Sequence, residues 1–392
     1  RVGNADPRAL CERVFLPEGQ AEKVRSLESG RPLADFDVVA FSLSFEEDYG
    51  NVLALLDRAG LPLRAADRDG RFPLLVAGGI AVQMNPEPLA PFFDLFLVGE
   101  GEELLPPFLE AARELASARP DRAAALPALA RLPGAYVPSL YRVEYADTRG
   151  GGGWVTGFEP LGGAPERVRR LYVADLRKVA TSRVVDSPEA QFGDLFLTEV
   201  ARGCLWGCRF CAAGFVQRPY REVDLETLRA EARRGLERGM RVGLVGPDTS
   251  DHTGLDPLTC FISESGGTFS PSSLRVDAIT PELSRRMAEG GERSITIAPE
   301  AGTERLRRVV NKDLSGDQIV RAAEHALSQG MRHVKMYFLG GLPTETEEDV
   351  LGIALLAFLV LTGVVLPLAS RRLSRAAAGD VVARRAELGA LL

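Results

Sequence analysis

Three cysteines, Cys204, Cys208 and Cys211, fall within eight positions of a chain that has only five. Their order in GCLWGCRFC, residues 203–211, is C-x-x-x-C-x-x-C. That spacing lets three thiolates turn inward on one soft metal centre. The remaining two, Cys11 and Cys260, are isolated, which is not how a disulfide framework is laid out. Structural zinc and iron–sulfur sites ordinarily take four protein ligands. Three leave a coordination position open for a substrate or cofactor, so the leading expectation is an iron–sulfur cluster that does chemistry. Of the histidines, His252, His325 and His333, only His252 is placed to close a Cys3His zinc site instead. His325 within a helix and His333 at the start of a strand read as structural. Trp206 and Phe210, between the cysteines, read either as apolar cover against water and oxygen or as ordinary packing.

The elements around this loop alternate. LFLTEVARG leads into it as a strand. Asp224 then caps a helix carrying Leu225, Leu228, Ala232 and Leu236 and ending at Gly239. RVGLVGPD, PSSLRVDAI, SITIAPEAG and HVKMYFLGGLP read as four further strands. Thr280-Pro281 opens one intervening helix, and a Ser315/Gln318 capping box opens another. Five such repeats predict a closed or partly closed barrel, with the cysteine loop on the rim formed by the strands' carboxyl ends.

The first third has the same βα rhythm. DVVAFSLS, FPLLVAGG and DLFLVGEGEE read as buried parallel strands with glycine-rich ends, and GNVLALLDRAG as a helix with Val52, Leu55 and Leu56 on one side. The expected fold class is therefore α/β: a doubly wound, flavodoxin- or Rossmann-like N-terminal domain, then a partial barrel. The glycines read equally as tight turns or as a ligand-binding edge; no G-x-G-x-x-G fingerprint supports a dinucleotide. The expected divisions are residues 1–120 for the first domain and 121–190 for a connector with a hairpin around Gly150 to Gly153. The barrel follows over 191–350, then a divergent apolar and basic tail over 351–392.

Composition bounds the rest. The chain has 392 residues, is 45% hydrophobic and 26% charged, and carries a net charge of -7. This is a soluble globular balance. Its sign, with lysines and arginines spread along the chain, does not support a nucleic-acid partner. Sparse, unpaired cysteines suit a reducing compartment, so a cytoplasmic location is expected. One segment departs from this: residues 350–368, VLGIALLAFLVLTGVVLPL, carry no charge and precede Arg371, Arg372 and Arg375. A membrane span of ~20 residues and a helix packed on the barrel before a buried sixth strand both fit it.

The cysteine motif, with an aromatic just before the third cysteine, resembles the signature of the radical S-adenosylmethionine (radical SAM) superfamily. SSLRVDAITPEL, SITIAPEAGTERLRRVVNKDLS and KMYFLGGLPTETEEDV resemble its third to fifth barrel strands. ERVFLPEG, FDVVAFSLSFE, LLVAGG and NPEPLAPFFDLFLVGEGEE resemble the cobalamin-binding-type domain of one group within it. The resemblance spans residues 10 to 350, nearly the whole chain. It implies a [4Fe-4S] cluster on Cys204, Cys208 and Cys211, whose fourth iron chelates SAM. An electron then cleaves SAM to methionine and a 5'-deoxyadenosyl radical, which takes hydrogen from a substrate, with methyl or sulfur transfer as downstream classes. It further implies Phe210 near the adenine and Arg275 and Glu300 as partners of SAM's polar groups, with a salt bridge inside the rim as the alternative for both. Gly246 and Gly340 are expected to let backbone approach the cofactor, or else to be plain turn glycines. The implied partners are an unidentified substrate and a reductase, flavodoxin or ferredoxin as electron donor. No histidine precedes His252, so the D-x-H-x-x-G lower ligand of cobalamin is absent. The N-terminal domain then binds cobalamin without it or retains the fold alone. The non-enzymatic alternative is a cluster or zinc ion with a structural or redox-sensing role.

Overall fold

A computed structural model of the chain describes residues 6–19, 22–118, 121–146, 153–179, 182, 187, 189–272 and 274–368. Two compact units emerge, residues 1–174 and 175–392; the expected connector, 121–190, spans their division.

In the first unit, β1 (Val38–Ser42), α1 (Asp48–Arg58), β2 (Leu74–Gly78), α2 (Ile80–Met84), β3 (Leu95–Leu97), α3 (Gly101–Ala118), α4 (Arg122–Leu129) and β4 (Ala135–Tyr136) follow in order. The sheet runs β1-β2-β3-β4, parallel except for β4, which is antiparallel to β3. Leu75, Val76 and Ala77 of β2 and all of β3 are buried, as an apolar strand in a parallel sheet must be. Val52, Leu55 and Leu56 of α1 close the core over one face. Asp94, just before β3, is buried and ion-paired to Arg122 at 2.6 Å while accepting from the Leu75 N–H at 2.8 Å. The glycines at the strand ends serve the chain itself. Gly79 at φ +104 and Gly99 at φ +139 lie where a Cβ would run into the backbones of Leu43 and Leu171, respectively. Close packing explains both without a ligand. Beyond the sheet, β5 (Tyr141–Tyr145) and β6 (Val155–Pro160) pair antiparallel as the expected hairpin. Gly150, Gly151 and Gly152 at its tip lie outside the described residues.

The second unit holds four of the five expected strands and a third that is displaced: β7 (Leu195–Glu199), β10 (Arg241–Val245), β11 (Phe269–Pro271), β12 (Ser294–Glu300) and β13 (His333–Phe338). Between β7 and β10 stand the short β8 (Ala201–Arg202), α5 (Ala213–Val216), β9 (Arg221–Glu222) and α6 (Leu225–Glu237); the later helices are α7 (Leu255–Glu264), α8 (Pro281–Glu289), α9 (Glu304–Val309), α10 (Gly316–Ser328) and α11 (Glu347–Val360). β11-β10-β7 form one parallel sheet and β12-β13 another. No ladder among the described residues joins them, so the barrel is partial and open. Three helices begin on caps legible in the sequence: Asp224 accepts from the Thr227 N–H, Thr280 from the Leu283 N–H, and Ser315 forms its box with Gln318.

The third strand differs from expectation. It occupies residues 269–271, sharing only Pro271 with PSSLRVDAI, and Val276–Ala278 is a 3-10 turn. The ladder to β10 runs on to the Ser272 N–H, which donates to the Leu244 carbonyl at 2.9 Å, before the chain enters that turn. Arg275 is consequently not a strand-end residue but the cap of that turn.

The apolar C-terminal segment is one helix. α11 continues through a π-helical segment, Leu361–Val365, to Leu368, and no strand follows β13 among the described residues. Over residues 347–368 it is long and apolar enough to cross a membrane, and only 17% of its most apolar window is buried. Leu356, Val360 and Val364, four apart, form the buried stripe, whereas Leu351, Leu355, Phe358 and Leu361 are exposed. A helix that is apolar all round can bury only one side against a single neighbour, so the packed helix of one alternative is present, without a buried strand after it among the described residues. Arg371, Arg372 and Arg375 lie outside the described residues.

Candidate functional site

The cysteine loop is a closed excursion from the end of β7. Its base is tied by the β8–β9 ladder, Ala201 to Glu222 and Arg202 to Arg221. Gly203, the first residue beyond that ladder, has φ +81, and a Cβ there would lie 2.6 Å from the Pro219 carbonyl oxygen and 2.8 Å from that of Gln217. Only glycine fits such a turn against facing backbone. The Trp206 N–H donates to the Cys204 sulfur at 3.4 Å and the Cys211 N–H to the Cys208 carbonyl at 3.1 Å. Cys204, Cys208 and Cys211 are free thiols of intermediate exposure.

Two groups of residues grip the loop from outside. On one side the Trp206 indole N–H donates to Asp251 at 2.6 Å, and the Arg275 guanidinium stacks on its ring, 3.5 Å from the centroid. Arg275 is itself held by Asp277, at 3.0 and 3.2 Å. On the other side, the turn after α9 reaches back. The Arg209 N–H donates to the Val310 carbonyl at 2.9 Å, its guanidinium to that of Val309 at 2.5 Å, and the Asn311 amide to that of Gly207 at 2.8 Å. Lys312 lies 2.7 Å from Glu300. Glu300 has φ +67, a conformation that a glutamate holds only when the surroundings over-determine it, and Asn311 has φ +58, which asparagine commonly takes after a helix.

The charges are uneven. Burial pushes the Cys204 and Cys208 thiols up, and at Cys208 the Lys312 ammonium works against that. Ligation requires thiolates, so a bound cation has to supply the balance. Asp251 is pushed up to about 6, first by burial and then by the charge of Asp248.

Of the residues singled out from sequence, Arg275 and Glu300 each have an intramolecular ionic partner, in Asp277 and Lys312. Phe210 is 41% exposed beside Cys211. Gly340 has no atom within 4 Å of a would-be Cβ, whereas Gly246 has the Ala201 carbonyl oxygen at 3.4 Å. His252 is not free to complete a zinc site. Its Nδ1 accepts from the Gly254 N–H at 2.9 Å, which makes Nε2 the donor to the Val223 carbonyl at 2.8 Å, and the ring is buried. Among the described residues, no group of three or more His, Cys, Asp or Glu side chains is disposed to hold a single metal ion. A cluster binds each thiolate to a different iron and needs no such convergence. With His252 committed to backbone, the three thiols fit a cluster with one open iron.

Sequence reasoning missed Asp251, Asn311 and Lys312. Two signals were available: the polar run PDTSD at the end of β10, and an asparagine directly after a helix, a common left-handed position.

Comparison with known proteins agrees with this architecture. Residues 1–138 match the family model described as radical SAM proteins, N-terminal, and residues 198–357 match the radical SAM superfamily. An uncharacterized protein of Methanocaldococcus jannaschii is 30% identical over 358 residues, covering 87% of this chain and 68% of that protein. Among solved structures, the chain is similar to the cobalamin-dependent S-adenosylmethionine radical enzyme OxsB with aqua-cobalamin and S-adenosylmethionine bound. The TM-score is 0.53 at 14% identity, over 82% of this chain and 43% of that one. It is also similar to the radical S-adenosylmethionine methyltransferase TsrM from Kitasatospora setae with cobalamin and a [4Fe-4S] cluster bound. There the TM-score is 0.52 at 15% identity, over 83% of this chain and 60% of that one. At these identities the likeness is one of fold, and the chain spans less than two thirds of either structure. The chain belongs to the radical SAM superfamily, with that superfamily's N-terminal region ahead of its radical SAM domain.

Proposed function

We propose that this chain is an enzyme that binds a [4Fe-4S] cluster through Cys204, Cys208 and Cys211 and uses it to cleave SAM reductively. The observation that carries the reading is the donor set: three free thiols on one pinned loop at the carboxyl end of β7, with His252 committed to backbone. When bound, the cluster supplies one electron and an open iron for SAM, yielding methionine and a 5'-deoxyadenosyl radical that abstracts hydrogen from the substrate.

The chain's own residues hold and shape that site. Trp206, clamped between Asp251 and Arg275, and Gly207, held by Asn311, fix the segment between Cys204 and Cys208, and Arg209 fixes the one between Cys208 and Cys211. Phe210 offers an exposed ring for the adenine to stack on. Glu300 and Lys312 place one negative and one positive group beside Cys208, matched to an amino acid's ammonium and carboxylate. Arg275 adds a second cation, steadied by Asp277. Gly340 leaves room for backbone to approach a ligand, more than Gly246 does.

Methyl transfer is the reaction class the TsrM likeness favours, and sulfur transfer is the other class this chemistry serves. Cobalamin is proposed as the second cofactor, on the strength of both solved structures being described with it bound. Its binding here would be without a lower histidine, since the first histidine of the chain is His252. A flavodoxin, ferredoxin or reductase would deliver the electron. Anaerobic reconstitution with iron and sulfide tests the proposal. The loaded protein should convert SAM to 5'-deoxyadenosine under a strong reductant, and a loaded protein that yields none would overturn it. Protein produced with cobalamin supplied should carry corrinoid absorption in the visible; its absence would remove the second cofactor only.

A further inference from the structure

The first unit has a concave surface of about 400 Å³ that no function described above uses. Its walls are two runs, residues 130–135 after α4 and residues 163–171 after β6. Both are fixed by backbone bonds. The Ala135 N–H donates to the Leu132 carbonyl at 3.1 Å and Val98 to Gly134 at 2.8 Å, while Leu171 exchanges bonds with Val98 and Glu100 at 3.1 and 3.0 Å. The Tyr141 hydroxyl donates to the Pro165 carbonyl at 2.7 Å. The concavity is thus formed before anything binds.

Three arginines line it: Arg131 from one wall, Arg167 and Arg169 from the other. All three are exposed. Arginine in this unit is otherwise partnered: Arg8, Arg13, Arg68, Arg71, Arg113, Arg122, Arg142 and Arg170 pair with carboxylates. Arg25, Arg31 and Arg58 donate to carbonyls. Among the described residues of the unit, only Arg64 and these three have guanidiniums without a hydrogen-bond or ion-pair partner. Three of those four line one groove. The single acidic residue in the second wall, Glu166, is not among its lining residues. In a chain of net charge -7, three unneutralised cations facing one concavity repel each other, and an anion relieves that repulsion.

We propose that this groove binds a phosphate-bearing small molecule, held by Arg131, Arg167 and Arg169. The guanidinium fork matches phosphate oxygens two at a time. The volume falls in the range of small-molecule sites, ~300–1,000 Å³. This proposal does not rest on the cluster, which belongs to residues 175–392.

Calorimetric titration of the full, cluster-loaded chain with pyrophosphate tests it. Pyrophosphate should bind with an affinity that falls as salt rises, and should raise the melting temperature. The double variant Arg131→Gln/Arg167→Gln should melt as the wild type does without ligand and bind pyrophosphate at least about tenfold more weakly. Absence of pyrophosphate binding to the wild type would overturn the proposal, as would equal affinity in the variant. Binding of an RNA oligonucleotide that the variant loses, with none of pyrophosphate, would also overturn it and make the groove a nucleic-acid face. If the double variant unfolds, Arg169→Gln alone takes its place, with a drop of several fold expected.

Discussion

Gly203 is the residue on which the cysteine loop turns. At φ +81 against the carbonyls of Pro219 and Gln217, an alanine there has neither the conformation nor the space. Gly203→Ala should cost ~1–3 kcal/mol in denaturant unfolding and lower the iron retained per chain. Cys208→Ser should behave differently: iron content and SAM cleavage should vanish while the circular dichroism stays that of the wild type. A structural metal would instead take the fold with it. The cysteines were legible because their spacing is local and thiolates at that spacing have few other uses. Asn311 was not, since its contact with Gly207 closes a separation of 104 residues, and no window of sequence contains both ends. The same holds for Trp206, Asp251 and Arg275, whose polar character was visible and whose meeting was not.

At the scale of elements, α11 is anchored to the end of β12 by glycine. A Cβ on Gly302 would run into the backbone of Asp349, Gly352 and Ile353, and Gly352 faces Thr303 and Gly302 in return. Gly302→Ala should therefore cost ~1–3 kcal/mol or more, through overpacking that backbone cannot relieve. Asp349 completes the anchor. Its buried carboxylate accepts from the Thr303 hydroxyl, from Thr346 through both N–H and hydroxyl, and from Arg305. The Thr303 hydroxyl first, with Thr346 and Arg305, holds it well below the usual carboxylate range. A depressed carboxylate adds stability above its unfolded value and loses it as pH falls toward the folded one. Thermal unfolding of the wild type should accordingly weaken below about pH 4 more steeply than that of Asp349→Asn. Caps and strands were legible where a local rule governs them, as at Asp224, Thr280 and Ser315. The third strand slipped because its apolar run, Leu274 to Ile279, goes into a 3-10 turn, while the short strand pairs ahead of it at Phe269–Pro271. The all-apolar face of α11 could be read as composition, but not which side would meet α10.

Over the whole molecule, each unit carries its own chemistry, with thiols in the second and an arginine-lined groove in the first. The βα alternation was legible in both: β2 and β3 are continuous apolar runs, as buried parallel strands are, and β7, β10, β11, β12 and β13 of the second unit are each separated from the next by a helix with a readable cap or stop. That the second unit's strands form two separate sheets was not, since pairing between strands leaves no mark on either strand's own sequence. The central claim is an iron left open by a three-cysteine donor set, and electron paramagnetic resonance of the reduced, cluster-loaded chain tests it most directly. The account predicts a [4Fe-4S] signal whose shape changes when SAM is added, because SAM occupies the open iron. A signal from loaded protein that is indifferent to saturating SAM would contradict it.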